Sequence, residues 1–268
     1  MVCIVYMVAG LSSRFGGKIK QFAKVGKNDE TLIEVSMQQA KNAGFEKIIF
    51  VVGEKTDAPF KKMFGDQWQG LPIKYAKQLF DTKKRDKPWG TTDALVASKD
   101  FVNESFVVCN GDDLYGENAL RTAREFLENN PTKGCCVGYE LGKVLPNKGA
   151  TNRGIFETTK EGNILNIREE FNIQKDHLIE RNLSEETLAS MNLFGLQKYT
   201  LIELGEKLSQ FKANHLEDRK AECLLPVELG QLIKEGKLEL KLLKTNDTWF
   251  GVTNPKDEAI LKHKLSEL

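Results

Sequence analysis

Short β-branched runs alternate along this sequence with segments in which apolar residues recur at helical spacing. The first run, Val2–Val8, precedes a helical pattern over Thr31–Ala43 that stops at Gly44, and a second run, Lys47–Val52, follows it. Strands that alternate with helices in this way are typical of a parallel sheet with crossover helices. We therefore expect an α/β fold.

The alternation continues through the second half of the chain. Further candidate strands are Ile73–Ala76, Phe106–Asn110, Cys135–Glu140, Gly154–Thr158, Ile164–Ile167, Ser190–Phe194 and Leu238–Lys244, and further candidate helices are Trp89–Phe101, Leu120–Asn129, Thr200–Phe211 and Leu224–Lys234. No repeat, low-complexity tract or Pro/Gly/Ser-rich linker separates the halves. With 268 residues, one large α/β domain over 1–268 with a mixed, mostly parallel central sheet is the simplest prediction.

Charge and cysteine content narrow the possible partners. Lys and Arg number 39 against 38 Asp and Glu, so there is no basic surplus to attract nucleic acid or an anionic membrane. The five cysteines form no C-x-x-C pair with zinc-like spacing, which fits a reducing, cytoplasmic compartment. The apolar opening run, Met1–Gly10, is too short to span a bilayer. We expect small-molecule substrates, and the oligomeric state is left open.

The first strand leads directly into a glycine-rich, basic loop. It contains Gly10, Leu11, Ser12, Ser13, Arg14, Phe15, Gly16 and Gly17, and Lys18, Lys20 and Gln21 follow. Glycines let the backbone turn its N–H groups toward an anion, and the basic side chains add charge. The pattern predicts a polyphosphate cradle, although the same residues could form an ordinary turn with a solvated basic rim. It is neither a P-loop nor a dinucleotide-binding motif.

Together with Lys20-Gln21, this loop resembles the signature loop of the sugar-1-phosphate nucleotidyltransferases, the nucleotide-sugar pyrophosphorylases. The resemblance extends over nearly the whole chain and implies a Rossmann-like, glycosyltransferase-A-type three-layer sandwich. It also implies that Gly10 packs on the ribose and base, that Arg14 stabilises the α- and β-phosphates, and that Lys20 stabilises the reacting phosphates. The remaining loop residues that it assigns to nucleotide binding are Leu11, Ser12, Ser13, Gly16 and Gly17.

A second match concerns the base. Gln78, followed by Gly90-Thr91-Thr92-Asp93-Ala94-Leu95, resembles the family segment that contacts the base, although the intervening Phe80–Pro88 is longer than in the family motif. A glutamine amide offers one donor and one acceptor, which suits a uracil or thymine edge. The resemblance therefore predicts UTP or dTTP as substrate, with Gln78, Gly90 and Thr91 in the nucleotide site. Taken alone, Gln78 could equally be a surface polar residue.

The acidic segment Asn110-Gly111-Asp112-Asp113 resembles the family's G-D element, where a carboxylate holds Mg²⁺. A hard cation on oxygen ligands would offset the repulsion between two polyanionic substrates. We predict Asp112 as the metal ligand and Asp113 as the second choice, because successive strand side chains point in opposite directions. A turn or helix cap is the alternative for this segment.

Motifs in the second half match the family's sugar-binding strands. Arg153-Gly154-Ile155, Ile167-Arg168-Glu169-Glu170 and Ser190-Met191-Asn192-Leu193-Phe194 occur in the family's order. By resemblance, Gly154 lets the backbone approach a pyranose, and Glu169 and Asn192 bind its hydroxyls. Where the family usually has a second metal-binding Asp or Asn, this sequence has Thr253 and Asn254, with Asp247 nearby as another candidate.

The predicted reaction is the Mg²⁺-dependent formation of an NDP-sugar and pyrophosphate from an NTP and a hexose 1-phosphate. Three alternatives remain at this stage. A metal-dependent glycosyltransferase of the same fold would not need the pyrophosphate-binding loop. A cytidylyltransferase acting on phosphocholine would need an anionic or aromatic pocket for the ammonium group. A non-catalytic module that senses nucleotide sugars would not need the basic and acidic residues that this chain retains.

Overall fold

A ten-stranded sheet forms the centre of the computed structural model, which describes residues 1–10, 19–146, 149–252 and 255–266, with the backbone alone at 255 and 256. The strands of the described chain are β1 (Val2–Met7), β2 (Ile48–Val52), β3 (Gln67–Trp68), β4 (Leu71–Lys77), β5 (Ser105–Asn110), β6 (Asp113–Leu114), β7 (Gly134–Glu140), β8 (Thr151–Thr158), β9 (Ile164–Ile173), β10 (Leu188–Leu196), β11 (Leu240–Lys244) and β12 (Phe250–Gly251). The helices are α1 (Leu32–Asn42), α2 (Glu54–Phe64), α3 (Thr91–Val96), α4 (Glu117–Asn129), α5 (Leu141–Val144), α6 (Thr200–Asn214), α7 (Leu225–Lys234) and α8 (Pro255–Ser266).

The central sheet has the order β11-β7-β10-β5-β1-β2-β4-β3. Strands β5, β1, β2 and β4 run parallel to one another, and β11 runs parallel to β7. Strand β10 lies antiparallel between β5 and β7, and β8 extends the sheet by pairing with both β10 and β9. The fold is thus the α/β class with a mixed central sheet that the sequence predicts. Strands β6 and β12 form a separate antiparallel pair.

The alternation of side chains along β1 explains why the central sheet has an apolar cluster on each of its two faces. Val2, Ile4 and Tyr6 face one apolar cluster, and Cys3 and Val5 face the other, because successive strand side chains point to opposite faces. Helices α1, α2 and α4 cover the first face, while α3, α6 and α7 cover the second. The result is a three-layer sandwich. No helix in the described ranges is both long and apolar enough to cross a membrane.

Helix α1 shows how local sequence sets an element's ends. Thr31 and Glu34 form a capping box: the Glu34 N–H donates to Thr31 Oγ1 (3.3 Å), and the Thr31 N–H donates to Glu34 Oε2 (2.8 Å). Gly44, with φ of 89°, adopts the left-handed conformation that ends the helix. The prediction of a helix over Thr31–Ala43 is confirmed to within its two cap residues.

Other elements depart from the sequence prediction. The helix predicted over Trp89–Phe101 is only α3, because the chain tightens after Val96 into turns such as Ser98 N–H to Leu95 O at 3.0 Å. Helix α2 is absent from the prediction, since Pro59 stands inside it. Strands β8, β9 and β10 are longer than the predicted segments.

Candidate functional site

The acidic segment lies where the chain leaves β5 and enters β6. Asp113 is 6% exposed, and its Oδ2 accepts a hydrogen bond from Asn110 Nδ2 (2.9 Å) and lies 3.2 Å from the Tyr115 hydroxyl. Burial, and next the neighbouring charge of Asp112, raise the pKa of Asp113 to about 8. Asp113 is therefore held by groups inside the protein.

Asp112 is more exposed than Asp113. Its side chain is 22% exposed and forms an ion pair with Lys20 Nζ. Lys20 belongs to a short 3-10 turn, Lys20–Phe22, on the segment that leads away from the glycine-rich loop. Lys20, which the resemblance assigns to the reacting phosphates, and Asp112, which is predicted to hold the metal, are thus in contact although they lie 92 positions apart. Of the two carboxylates, only Asp112 combines exposure with a basic partner.

Much of the predicted phosphate cradle falls outside the described residues: Leu11, Ser12, Ser13, Arg14, Gly16 and Gly17, as well as Lys18 and Asn254. Their assigned roles stay predictions. Gly10 is described and lies exposed after β1, with open space where a Cβ would be. Strands β1 and β5 are parallel neighbours, so Gly10 and Asp112 emerge from the same edge of the sheet.

A cavity of about 300 Å³ opens beside the acidic segment. The three predicted sugar-binding residues, Gly154, Glu169 and Asn192, all line it, although they come from three different strands. Asn110 and Asp113 line the same cavity. The predicted sugar residues therefore face the end of β5 that carries the acidic pair.

Backbone geometry places these three residues. Gly154 on β8 pairs with Glu169 on β9 and with Ser190 on β10. A Cβ at Gly154 would lie 2.9 Å from Ile167 Cγ2, so no larger residue fits without a shift. In β10 the register with β7 shifts between Ser190 and Phe194, and Asn192 within this irregular stretch has a φ of 61°. The bulge accounts for the exposure of Asn192 to the cavity within an otherwise buried strand.

Sequence reasoning missed the polar side of this cavity, which Arg153 and Trp249 form. Arg153 Nη2 donates to Val144 O (2.8 Å), and its guanidinium carbon lies 5.5 Å from the Trp249 ring centre. Arg153 Nε and Trp249 Nε1 are buried N–H donors without a hydrogen-bond partner in the described structure. Arg153 belongs to the same short motif as Gly154, which was the available signal.

Charges in the cavity are mixed. Burial lowers the pKa of Arg153, while the carboxylates of Asp113 and Glu169 oppose this shift. Burial likewise raises the pKa of Glu169, and Arg153 opposes it. Free donors and carboxylate acceptors side by side suit a neutral ligand with many hydroxyl groups better than a strongly charged one.

On the base side, Gln78 is buried and its amide is already engaged. Gln78 Nε2 donates to the Gly90 carbonyl (3.0 Å) and to Asp93 Oδ2 (2.9 Å). Because both partners can only accept, the amide nitrogen must face them. The prediction that Gln78 offers a base both a donor and an acceptor is therefore wrong for the donor, because the amide N–H groups are engaged within the protein. Among the described contacts, only the acceptor Oε1 is available to a base. Lys212 in turn pairs with Asp93 at 2.5 Å, a contact that sequence reasoning also missed.

Gly90 and Thr91 connect the base motif to a later loop. Gly90 has φ of 97°, and a Cβ there would lie 2.5 Å from the Cys223 carbonyl oxygen. Thr91 Oγ1 accepts a hydrogen bond from the Leu225 N–H (2.8 Å). Whatever part these two residues take in nucleotide binding, their described contacts are structural.

The structure gives Asp247 a structural role. Its carboxylate accepts from the Ala119 N–H (2.8 Å) and from Asn118 Nδ2 (3.0 Å), and so it caps the N-terminus of α4. These contacts give no support to the suggestion that Asp247 is a second metal ligand, because each of its carboxylate oxygens accepts a hydrogen bond from the start of α4. Nowhere in the described ranges do three His, Cys, Asp or Glu side chains cluster as a metal site would require.

The sheet order, the acidic strand end with its lysine, and the adjoining polar cavity define an α/β protein with a candidate site at the carboxyl ends of its parallel strands. A comparison with protein families makes this specific. The model of the nucleotidyl transferase family matches residues 16–257, and the chain belongs to that family. No curated protein matches the sequence.

Solved structures with this fold cover almost the whole chain. A Bacillus anthracis protein assigned as a glucose-1-phosphate thymidylyltransferase, in complex with a sucrose, superposes with a TM-score of 0.73 at 15% identity, over 100% of this chain and 96% of that one. A UDP-glucose pyrophosphorylase complexed with UDP-glucose gives 0.68 at 16% identity, over 100% and 99%. The inositol-1-phosphate CTP transferase of T. maritima gives 0.67 at 16% identity, over 99% and 96%. At these identities the likeness shows the fold alone.

Proposed function

We propose that the chain joins an NTP to a hexose 1-phosphate, releasing pyrophosphate and an NDP-sugar. The observation that carries the proposal is the cavity in which Gly154, Glu169 and Asn192 meet beside the acidic segment. Asp112 and Lys20 lie in contact at the same segment, so sugar-binding and phosphate-binding groups adjoin. The neighbours named above, a thymidylyltransferase, a pyrophosphorylase and an inositol-1-phosphate transferase, support the same reaction class.

The donor set at Asp112 suits Mg²⁺. Its carboxylate offers hard oxygen ligands and is partly exposed, whereas Asp113 is buried and hydrogen-bonded inside the protein. Bound there, Mg²⁺ would neutralise charge between the two substrates and polarise the α-phosphorus. The carboxylate of Asp112 already binds a cation, the ammonium of Lys20, so the position favours positive charge.

The chain's own residues position the reactants. A phosphate oxygen of the sugar phosphate attacks the α-phosphorus in line, and the bond to pyrophosphate breaks as the new P–O bond forms. No protein nucleophile is needed. Lys20 neutralises the phosphates when they take the place of Asp112 as its anionic partner, and Arg14 is predicted to hold the α- and β-phosphates. Glu169 and Asn192 orient the sugar hydroxyls.

For the base we propose uracil or thymine. Oε1 of Gln78 accepts no hydrogen bond within the part of the chain that the structure describes, and it can accept from the N3–H group that both bases have and that cytosine lacks. A purine is larger and would leave buried polar atoms of this site unpaired, at a cost of about 1–3 kcal/mol each.

The cavity holds groups of both charges, so the kinetics below must separate phosphocholine from a sugar phosphate. An ammonium group there would meet the carboxyl groups of Asp113 and Glu169 and the Trp249 ring, but also the Arg153 guanidinium, which lies 5.5 Å from that ring. Sugar hydroxyls can pair with the Arg153 N–H groups and with the carboxyl groups alike.

Steady-state kinetics with pyrophosphate release as the signal test the proposal. UTP, dTTP, CTP, GTP and ATP are each paired with glucose 1-phosphate, N-acetylglucosamine 1-phosphate and phosphocholine, with Mg²⁺ present. We expect the highest kcat/KM for UTP or dTTP with a sugar phosphate. A preference for ATP or GTP would overturn the base assignment, and a preference for phosphocholine would overturn the sugar assignment. Binding of NDP-sugars without any pyrophosphate release would indicate a sensing module.

A further inference from the structure

One buried arginine joins two surface loops beside the proposed substrate sites. Arg85 is 4% exposed and donates to the backbone carbonyls of Lys87 (3.1 Å), Asp218 (2.9 Å) and Ala221. Its guanidinium also stacks on Trp89, with 3.3 Å from Cζ to the ring centre. A buried cation is costly unless dipoles and an aromatic face compensate for lost water, and these contacts need a planar fork that lysine lacks.

Further hydrogen bonds extend the junction, which we name the clamp and define as residues 85–92 and 218–225. The Cys223 N–H donates to the Trp89 carbonyl at 2.7 Å, and the Leu225 N–H donates to Thr91 Oγ1 at 2.8 Å. The backbone at Gly90 also packs against Cys223 so closely that a Cβ would clash. The two loops therefore hold one fixed spacing.

The clamp leads directly into one wall of the sugar cavity. Leu224 is the N-cap of α7, and the first turn of this helix includes Pro226 and Val227, which line the cavity. Val227 is 52% exposed, whereas Leu225, Leu229 and Leu232 of the same helix are buried in the core. The spacing that Arg85 sets therefore acts on the first turn of α7, where the chain enters the helix.

The base side has a separate anchor. Gln78 holds the Gly90 carbonyl and Asp93, and Lys212 on α6 pairs with Asp93. None of these contacts involves Arg85. Loss of Arg85 would consequently loosen the 218–225 loop, while Gln78 and Lys212 still hold Gly90 and Asp93 of the base motif.

We propose that Arg85 is a positioning residue that sets the sugar-phosphate site through the clamp. The inference rests on the proposed function. It adds a determinant of sugar-phosphate binding that lies 69 positions before Gly154 and 84 before Glu169 in the sequence. It assigns no contact between Arg85 and the substrate.

The test compares KM values for the two substrates in Arg85→Ala, Arg85→Lys and a matched control outside the clamp, Arg124→Ala. Arg124 also donates to a backbone carbonyl, that of Ala43 (2.7 Å), but it joins α4 to the end of α1. We expect both Arg85 variants to raise the KM for the sugar phosphate about tenfold, with the KM for the NTP changed less than twofold. The control should stay within twofold for both substrates.

Several outcomes would overturn the proposal: an unchanged sugar-phosphate KM in Arg85→Lys, an equal rise in both KM values, or a control that behaves like the Arg85 variants. If Arg85→Ala does not fold, Arg85→Lys decides. Hydrogen exchange gives a readout that needs no turnover, with faster exchange expected at the Cys223 and Leu225 amides in Arg85→Lys and unchanged exchange in α3. Absent turnover in the wild-type protein would refute the proposed function, whereas unchanged exchange would refute the clamp.

Discussion

A substitution of Asp247 distinguishes a structural role of this residue from a metal-binding role, because the two roles predict different results. The change Asp247→Ala removes the acceptor of the Ala119 N–H, at the third residue of α4, and of the Asn118 side chain. Loss of a helix cap costs about 0.5–2 kcal/mol, and loss of a negative charge at a helix N-terminus costs about 0.3–1 kcal/mol. We expect the free energy of unfolding to fall by about 1–3 kcal/mol.

Two measurements on the same variant check this reasoning. Urea unfolding should show a lower midpoint with unchanged slope, and Tm should fall by about 2–4 °C per kcal/mol. The Mg²⁺ concentration that gives half-maximal turnover should stay at the wild-type value. Asp247→Ser retains a capping oxygen and should recover part of the stability.

A single result would refute the cap assignment. If Asp247→Ala unfolds at the wild-type urea concentration but needs several-fold more Mg²⁺ for turnover, then Asp247 is a metal ligand and α4 has another cap. A lower urea midpoint together with a higher Mg²⁺ requirement would show that the cap and the metal site are coupled.

Four further expectations follow from the described contacts. Lys20→Ala should lower kcat about 10²–10⁴ fold with little change in the unfolding midpoint, and wild-type turnover would exclude Lys20 from the phosphate site. Asp112→Asn should raise the Mg²⁺ requirement more than Asp113→Asn does, and the reverse order would exchange their roles. Gly154→Ala should raise the KM for the sugar phosphate, because its Cβ would lie 2.9 Å from Ile167 Cγ2, while the KM for the NTP stays constant. All five cysteines are buried and their pKa values are raised, so the folded protein keeps them protonated at a pH where the thiols of the unfolded chain ionise. The midpoint of urea unfolding should therefore fall above about pH 9. Equal midpoints at pH 8 and pH 10, each about a unit from that value, would contradict this.

Periodicity and caps were sufficient to predict the central strands and α1, because their signals are local. Helix α2 has a usable signal in its buried Thr56, Phe60 and Phe64, four residues apart, but Pro59 obscures it. The β8 and β9 hairpin extends beyond its apolar residues because one of its faces is exposed, so its outer parts lack a strand pattern.

In the candidate site too, residues in short local motifs could be predicted from the sequence, and contacts between distant positions could not. Gly154, Glu169 and Asn192 could be predicted because each belongs to a short motif, and the structure places all three on one cavity. The contacts of Arg85 with Asp218 and of Lys212 with Asp93 link positions more than 100 apart. No local pattern encodes such pairs, since each depends on how two loops meet after folding.

The place of β10 between β5 and β7 has a consequence for how the protein is made. On the ribosome, β1, β2, β4 and β5 can assemble as soon as they emerge, but β5 then has one unpaired edge. Its partner β10 ends at Leu196, about 85 residues after β5, and at about 5–20 residues per second that edge stays open for roughly 4–17 s. During this interval the nascent chain exposes the buried residues of β5 to other chains, so its yield in the cell should depend on chaperones that bind nascent chains.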